Sequence, residues 1–251
     1  MQNDKQTCRI IDMCQIDSGA CILTDAYNNM IKLLDTKHNA TDFLCLVYEP
    51  TGICKTGYNE VAATLSNYKI EVLSVRNRIA IKRNITLKRD KRYCGIAYTA
   101  RKFWIATGSG VDVYDTNGAL VQSVAKDSTG QRIFESTTQQ MTAYRDLVFV
   151  ADYSGSIVCF ASDGTRKAKL QHSTLRNATG VCLSNDGTIY AVDDRAKKIV
   201  MFNQDGNCLG ELVPDIPSEK IPMSLCYDVK NDCLLIGYLS SDTVTVCFLS
   251  D

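Results

Sequence analysis

Apolar positions along this chain come in short bursts. Residues 147–151 and 233–236 are typical, and no run approaches the roughly 18 apolar residues of a membrane span. The clearest organisation lies in residues 180–206, GVCLSNDGTIYAVDDRAKKIVMFNQDG. An apolar strand leads through an Asn-Asp-Gly turn into a second strand that ends at Asp193. A polar loop follows, and a third strand over 199–202 runs into a second turn at Asp205-Gly206. The stretch 12–35 repeats the pattern, with Gly19 in the place of Gly187 and Asp25 in the place of Asp193. Partial copies occupy 98–114, 143–160 and 224–248, and a degenerate one lies at 53–72. The second strands end near Asp25, Ser66, Thr107, Asp152, Asp193 and Tyr238, 41 or 45 residues apart. Six copies of that period consume the chain, and the period belongs to four-stranded blades set around a channel. The expected fold is therefore all-β, a single six-bladed β-propeller over residues 1–251 with antiparallel blades.

Turn chemistry agrees. Asn117-Gly118, Asp163-Gly164 and Asp205-Gly206 recur at one place in three successive copies. Such pairs supply the positive backbone angles of tight hairpins. Alternating strand direction puts the turns after first and third strands on one rim. The loops after second strands and the crossovers between blades fall on the other rim, here called the top. The last copy stops after a third strand over 243–249, without a fourth. Residues 5–11 precede the first strand and are expected to supply it, closing the ring and removing open sheet edges.

Composition adds compartment and charge. Lys plus Arg and Asp plus Glu both number 28, which argues against a protein held on nucleic acid by bulk electrostatics. The 12 cysteines sit mostly in apolar strand patterns, where a free thiol packs as a small hydrophobe. The start of the chain is polar and charged, unlike a signal peptide, so reduced thiols and a cytoplasmic location are expected. No Cys-x-x-Cys pair occurs, which argues against a structural zinc site. Sequons at Asn39, Asn84 and Asn177 carry no weight, since about two are expected by chance in a chain of this composition.

The pattern Gly-Val-x-Leu-x-Asn-Asp-Gly-x-Ile-Tyr-x-Val-Asp from Gly180, followed by Lys-Lys-Ile-x-x-Phe-x-x-Asp-Gly, resembles the NHL repeat. Six-bladed propellers of that repeat form the C-terminal domain of many tripartite-motif proteins, invertebrate ones included. The resemblance spans essentially the whole chain and is strongest in the copy at Gly180. The copies at 53–72 and 224–248 lack the Asp that closes the second strand, and Thr107 replaces it in the third. The resemblance implies a non-catalytic recognition module that docks a protein or peptide on its top face. In that reading it is the substrate-recruiting end of a tripartite-motif-like E3 ubiquitin ligase, monomeric when isolated. The RING finger, B-boxes and coiled coil of such a ligase are not in this sequence.

Candidate chemistry is sparse. Propeller lactonases hold a metal with Glu, Asn and Asp side chains at the axis. Here the positions nearest the axis are expected around Met13, Ile96, Met141, Val181 and Leu225, which offer no oxygen ligands. Only His38 and His172 exist, too few for a three-His zinc site. Asp25, Asp152 and Asp193 share one repeat column and are expected to cap loops by accepting backbone N–H bonds. Gly108-Ser109-Gly110 does not match a nucleophile elbow. No catalytic residue, metal or cofactor is expected, and a lactonase-like metal-dependent hydrolase ranks last among the readings.

Binding residues are sought on the top rim, since loops on a rigid scaffold carry function. Tyr27, Tyr68, Tyr153 and Tyr238 each lie within two residues of a second-strand end. They either recognise a partner or pack between blades. Arg195, Lys197 and Lys198 add charge in a top loop. A second basic run comprises Arg76, Arg78, Lys82, Arg83, Lys88, Arg89, Lys91 and Arg92, offset only by Asp90. Residues 88–92 are expected to form the crossover from the second blade to the third. Basic and aromatic residues on one face are the footprint of single-stranded RNA binding, which makes RNA the alternative ligand.

Overall fold

β-Branched and aliphatic bursts bounded by Gly, Asn and Asp turns become 23 strands in six separate antiparallel sheets. The structure is a computed structural model, and it describes residues 4–76, 78–87 and 91–249. The first blade holds β1 (Ile10–Gln15), β2 (Cys21–Asp25), β3 (Met30–Leu34) and β4 (Ala40–Cys45). The second holds β5 (Pro50–Gly57), β6 (Glu60–Leu65), β7 (Lys69–Val75) and β8 (Ile79–Thr86). The third holds β9 (Ile96–Thr99), β10 (Lys102–Ala106), β11 (Val111–Asp115) and β12 (Leu120–Val124). The fourth holds β13 (Thr138–Tyr144), β14 (Leu147–Asp152), β15 (Ser156–Ala161) and β16 (Arg166–Gln171). The fifth holds β17 (Ala178–Leu183), β18 (Ile189–Asp193), β19 (Ile199–Phe202) and β20 (Cys208–Leu212). The sixth holds β21 (Pro222–Asp228), β22 (Cys233–Tyr238) and β23 (Thr245–Phe248). Each sheet is a meander, and every expected second-strand end falls on or within one residue of an observed one.

Burial is deepest in the second and third strands and lowest in the outermost. β2, β18 and β22 are buried throughout, whereas the fourth strands β4 and β12 are mostly exposed. The core is consequently a set of layers between blades. Trp104 and Phe160 pack between the third and fourth blades with Val150. Val192, Leu225 and Tyr238 pack between the fifth and sixth. Each such large side chain, fully buried, contributes roughly 2 kcal/mol of hydrophobic stabilisation. All 12 thiols are free. No helix among the described residues is long and apolar enough to cross a membrane.

The ring closes differently from the expectation. The sixth blade has three strands among the described residues, and residues 4–9 do not join its sheet. Instead the N-terminal segment lies across the top of the seam between the first and sixth blades. Cys8 donates its N–H to Asp242 Oδ1 at 2.9 Å and accepts from Ser241 N at 3.0 Å. Lys5 and Gln6 donate backbone N–H groups to Asn28 Oδ1 at 2.9 and 3.1 Å. Lys32 pairs with Asp4 and Asp25, each at 2.7 Å. Side-chain bonds and a backbone bond, from Ser241 N to Cys8 O, therefore do the work that strand addition was expected to do.

Candidate functional site

The six inner strands β1, β5, β9, β13, β17 and β21 surround the axis. Five of them carry an irregularity near the top, skipping Ile11, Thr51, Gln139 with Gln140, Thr179 and Met223 in the pairing. A bulge lets neighbouring residues face the same way and re-aims a side chain. The inner strands also approach closely. A Cβ on Gly180 would lie 2.8 Å from Gln140 Oε1 and 2.9 Å from Leu225 N, so only glycine fits.

Through its bulge, Gln140 reaches across the axis. Its Oε1 accepts from Val181 N and Leu225 N, both at 3.0 Å. Its Nε2 donates to Leu225 O at 2.9 Å and to Asp12 Oδ1 at 2.6 Å. Asp12 in turn accepts from Met13 N at 2.8 Å and Ile53 N at 2.9 Å. Five blades are thus tied by one amide and one carboxylate. Complete burial pushes the Asp12 carboxyl up to about 7, against the three donors that favour its ionised form.

Gln140 partitions the channel, lining both a small pocket above of about 60 Å³ and a cavity below of about 390 Å³. The lower cavity has walls of Met13, Cys54, Met141, Cys182 and Leu225. Its mouth, on the rim of the first-to-second-strand turns, carries Asp17, Lys55 and Tyr98. Lys55 Nζ lies 2.6 Å from Asp17 Oδ1 and holds that carboxyl below the usual range. The Tyr98 ring packs on Phe103 at 5.0 Å, and its hydroxyl makes no hydrogen bond among the described residues. Burial pushes the thiols of Cys14, Cys54 and Cys182 up, so they stay neutral and are poor nucleophiles or metal ligands.

The expectation for the axis needs correcting. Met13, Met141, Val181 and Leu225 do line the cavity, but Ile96 packs among Phe103, Ile105 and Tyr93, and Tyr98 represents its blade instead. Oxygen atoms are present at the axis, on Asp12 and Gln140. The alternation of a regular strand assigns Met13 and Met141 to the axis and their neighbours away from it. The bulges break that rule.

The expected binding residues scatter. Tyr27 is 42% exposed at the top, under the Arg9 guanidinium at 5.5 Å. Tyr68 is half-buried against Tyr93 in an edge contact of 5.9 Å. Tyr153 is half-buried and donates to Asp194 Oδ2 at 3.0 Å. Tyr238 has no exposure, being packed between blades with its hydroxyl on Thr245, and is not a binding residue. Of the basic run, Arg76 and Arg78 lie at the lower turn, Lys82 and Arg83 along β8, and Lys91 and Arg92 on the top crossover. Lys88 and Arg89 lie outside the described residues. Lys82 pairs with Glu60, Arg83 donates to Thr116 O at 2.9 Å, and Lys91 pairs with Asp112 at 2.9 Å. Lys197 bonds the carbonyls of Pro217 and Ser218, and Lys198 pairs with Glu211 at 2.8 Å, while Arg195 stays exposed. Among the described residues the run forms no single basic patch.

Asp25, Asp152 and Asp193 cap loops as expected, and more widely than expected. Each bonds not only its own loop but the backbone entering the inner strand of its blade, as Asp193 does with Arg176 N and Asn177 N. His172 bonds Thr174. His38, Asp228 and Cys233 bring one nitrogen, one oxygen and one sulfur within 4.8 Å of one another, a donor set suited to a metal. The Asp228 oxygens already accept from His38, Gln15, Asn231 and Lys230, which makes Asp228 a clamp on the seam between the first and sixth blades.

No family model matches the chain, and no curated protein matches it. Among solved structures, a streptogramin B lyase structure aligns with a TM-score of 0.70 at 16% identity, covering 99% of this chain and 85% of that one. The chain is a six-bladed β-propeller. At that identity the likeness is one of fold. The aligned propeller is a lyase and no family model matches, so the expectation of a non-catalytic recruiting module is left without support and is withdrawn. An axis without oxygen ligands is one ground for expecting no catalysis, and Asp12 and Gln140 stand at this axis. Among the described residues the tyrosines and the basic run are dispersed, and no family model shows an NHL or tripartite-motif relation.

Proposed function

We propose that this propeller is an enzyme of lyase type, cleaving a small molecule held in the lower axial cavity. The observation that carries the reading is the cavity itself. Its volume of about 390 Å³ suits a compact ligand, and its apolar walls end at a mouth bearing a cation, a carboxylate and a phenol. The likeness in fold to a streptogramin B lyase supports elimination rather than hydrolysis as the first reaction to test. In such a step the Asp17 carboxylate accepts a proton from carbon as a carbon–oxygen bond breaks and a double bond forms. The Lys55 ammonium, 2.6 Å from Asp17, stabilises the departing oxyanion, and the Tyr98 hydroxyl protonates it. The neutral buried thiols leave the walls inert.

The test is turnover read by mass spectrometry, with streptogramin B and a panel of small esters and lactones as substrates. Elimination adds no water to the summed products, whereas hydrolysis adds one. Lys55→Met, Asp17→Asn and Tyr98→Phe should each lower the rate about a hundredfold. Turnover that survives unchanged in all three variants, or products that gain water, would overturn the reading.

A further inference from the structure

Above Gln140, at the opposite end of the axis from the proposed active site, the bulged residues Ile11, Thr51, Gln139 and Met223 frame the small pocket. We propose that this pocket binds a small oxyanion, the carboxylate or phosphate end of a ligand. Two arginines, Arg9 and Arg92, line it together with Glu49. Burial pushes the Cys94 thiol in its wall up, and the charges of Arg92 and Arg9 oppose that shift.

Arg9 is positioned before any ligand arrives. Its N–H donates to Asp25 Oδ1 at 3.0 Å, its carbonyl accepts from Ala26 N at 2.9 Å, and its guanidinium sits over Tyr27. Glu49 approaches only Nη1, at 3.5 Å, and Nε is buried without a hydrogen-bond partner. Arg92 is exposed and makes no ion pair among the described residues. Among the described residues that line the pocket, two cations face one carboxylate, an excess of one positive charge that favours an anion. A fork of guanidinium donors matches the planar or tetrahedral oxygens of carboxylate and phosphate.

Size narrows the ligand. About 60 Å³ gives room for about four waters, enough for a head group but not for a nucleobase. The remainder of a larger ligand would project from the top. This also separates the site from an RNA track, which needs a row of cations along a groove.

Isothermal titration of the full chain with inorganic phosphate and with acetate, each against chloride at matched ionic strength, tests the proposal. Saturable binding of at least one anion is expected, weakened about tenfold in Arg9→Gln and in Arg92→Gln. Lys198→Gln, on the same rim but paired with Glu211 outside the pocket, should bind as the wild type does. Binding of phosphate alone assigns a phosphoryl head group, and binding of acetate alone assigns a carboxylate. Arg92→Gln alters an exposed side chain and keeps the test open should Arg9→Gln fail to fold. The proposal is overturned if neither anion saturates the protein, or if Arg92→Gln binds with wild-type affinity.

Discussion

At the scale of single residues, Gln140 holds more of the ring together than any side chain of its size would at the surface. Replacing it by Leu keeps the volume but leaves Val181 N, Leu225 N and the Asp12 carboxylate each short of a partner. A buried polar group left unpaired costs about 1–3 kcal/mol, so Gln140→Leu should lose about 3 kcal/mol or more in urea denaturation. A loss of a few tenths would show that the axis is wet rather than sealed. The loop-capping aspartates were legible in the sequence because their role depends only on neighbours within one repeat. Gln140 was not, since a bulge decides which way it points. Nor was Tyr238: an aromatic at a strand end looks the same whether a neighbouring blade covers it or not.

At the scale of elements, strands and tight turns were readable from local chemistry, and the structure places them where the repeat does. What failed were statements about how elements meet. The basic run is continuous in sequence, yet β8 stands between its ends and spans roughly 26 Å for its eight residues. The closing of the ring was expected from strand pairing, and it is made by hydrogen bonds of residues 4–9 to Asn28, Ser241 and Asp242. Deleting residues 1–8 should therefore lower the melting temperature by about 5–10 °C, as expected for the loss of a few kcal/mol in a domain of this size. An unchanged melt would mean that the inner-strand contacts close the ring unaided.

At the scale of the whole molecule, two kinds of buried carboxyl pull the pH profile in opposite directions. Asp12 has a folded value of about 7 against roughly 3.9 in an unfolded chain. Between those values the folded form keeps a proton that the unfolded form has released. Stability from this group is greatest below about pH 4 and falls as the pH rises to about 7, by up to about 1.4 kcal/mol per unit. The Asp25 carboxyl is held down by Lys32 and Asn28, and Asp228 by His38 and Asn231, in both cases against the cost of burial. Their stabilisation is present above the unfolded value and is lost as the pH falls below about 4. Urea titrations across this range should peak on the acid side of neutrality. Asp12→Asn should flatten the decline between about pH 5 and about pH 7, whatever its absolute stability, and a profile that still falls there would refute the assignment. The seam between the first and sixth blades, clamped by Asp228 and by Cys8, has a mechanical meaning as well. At every other seam the backbone itself runs from one blade into the next. A force applied to the two ends of the chain is carried across this one by hydrogen bonds and packing alone, so under load the ring opens there first.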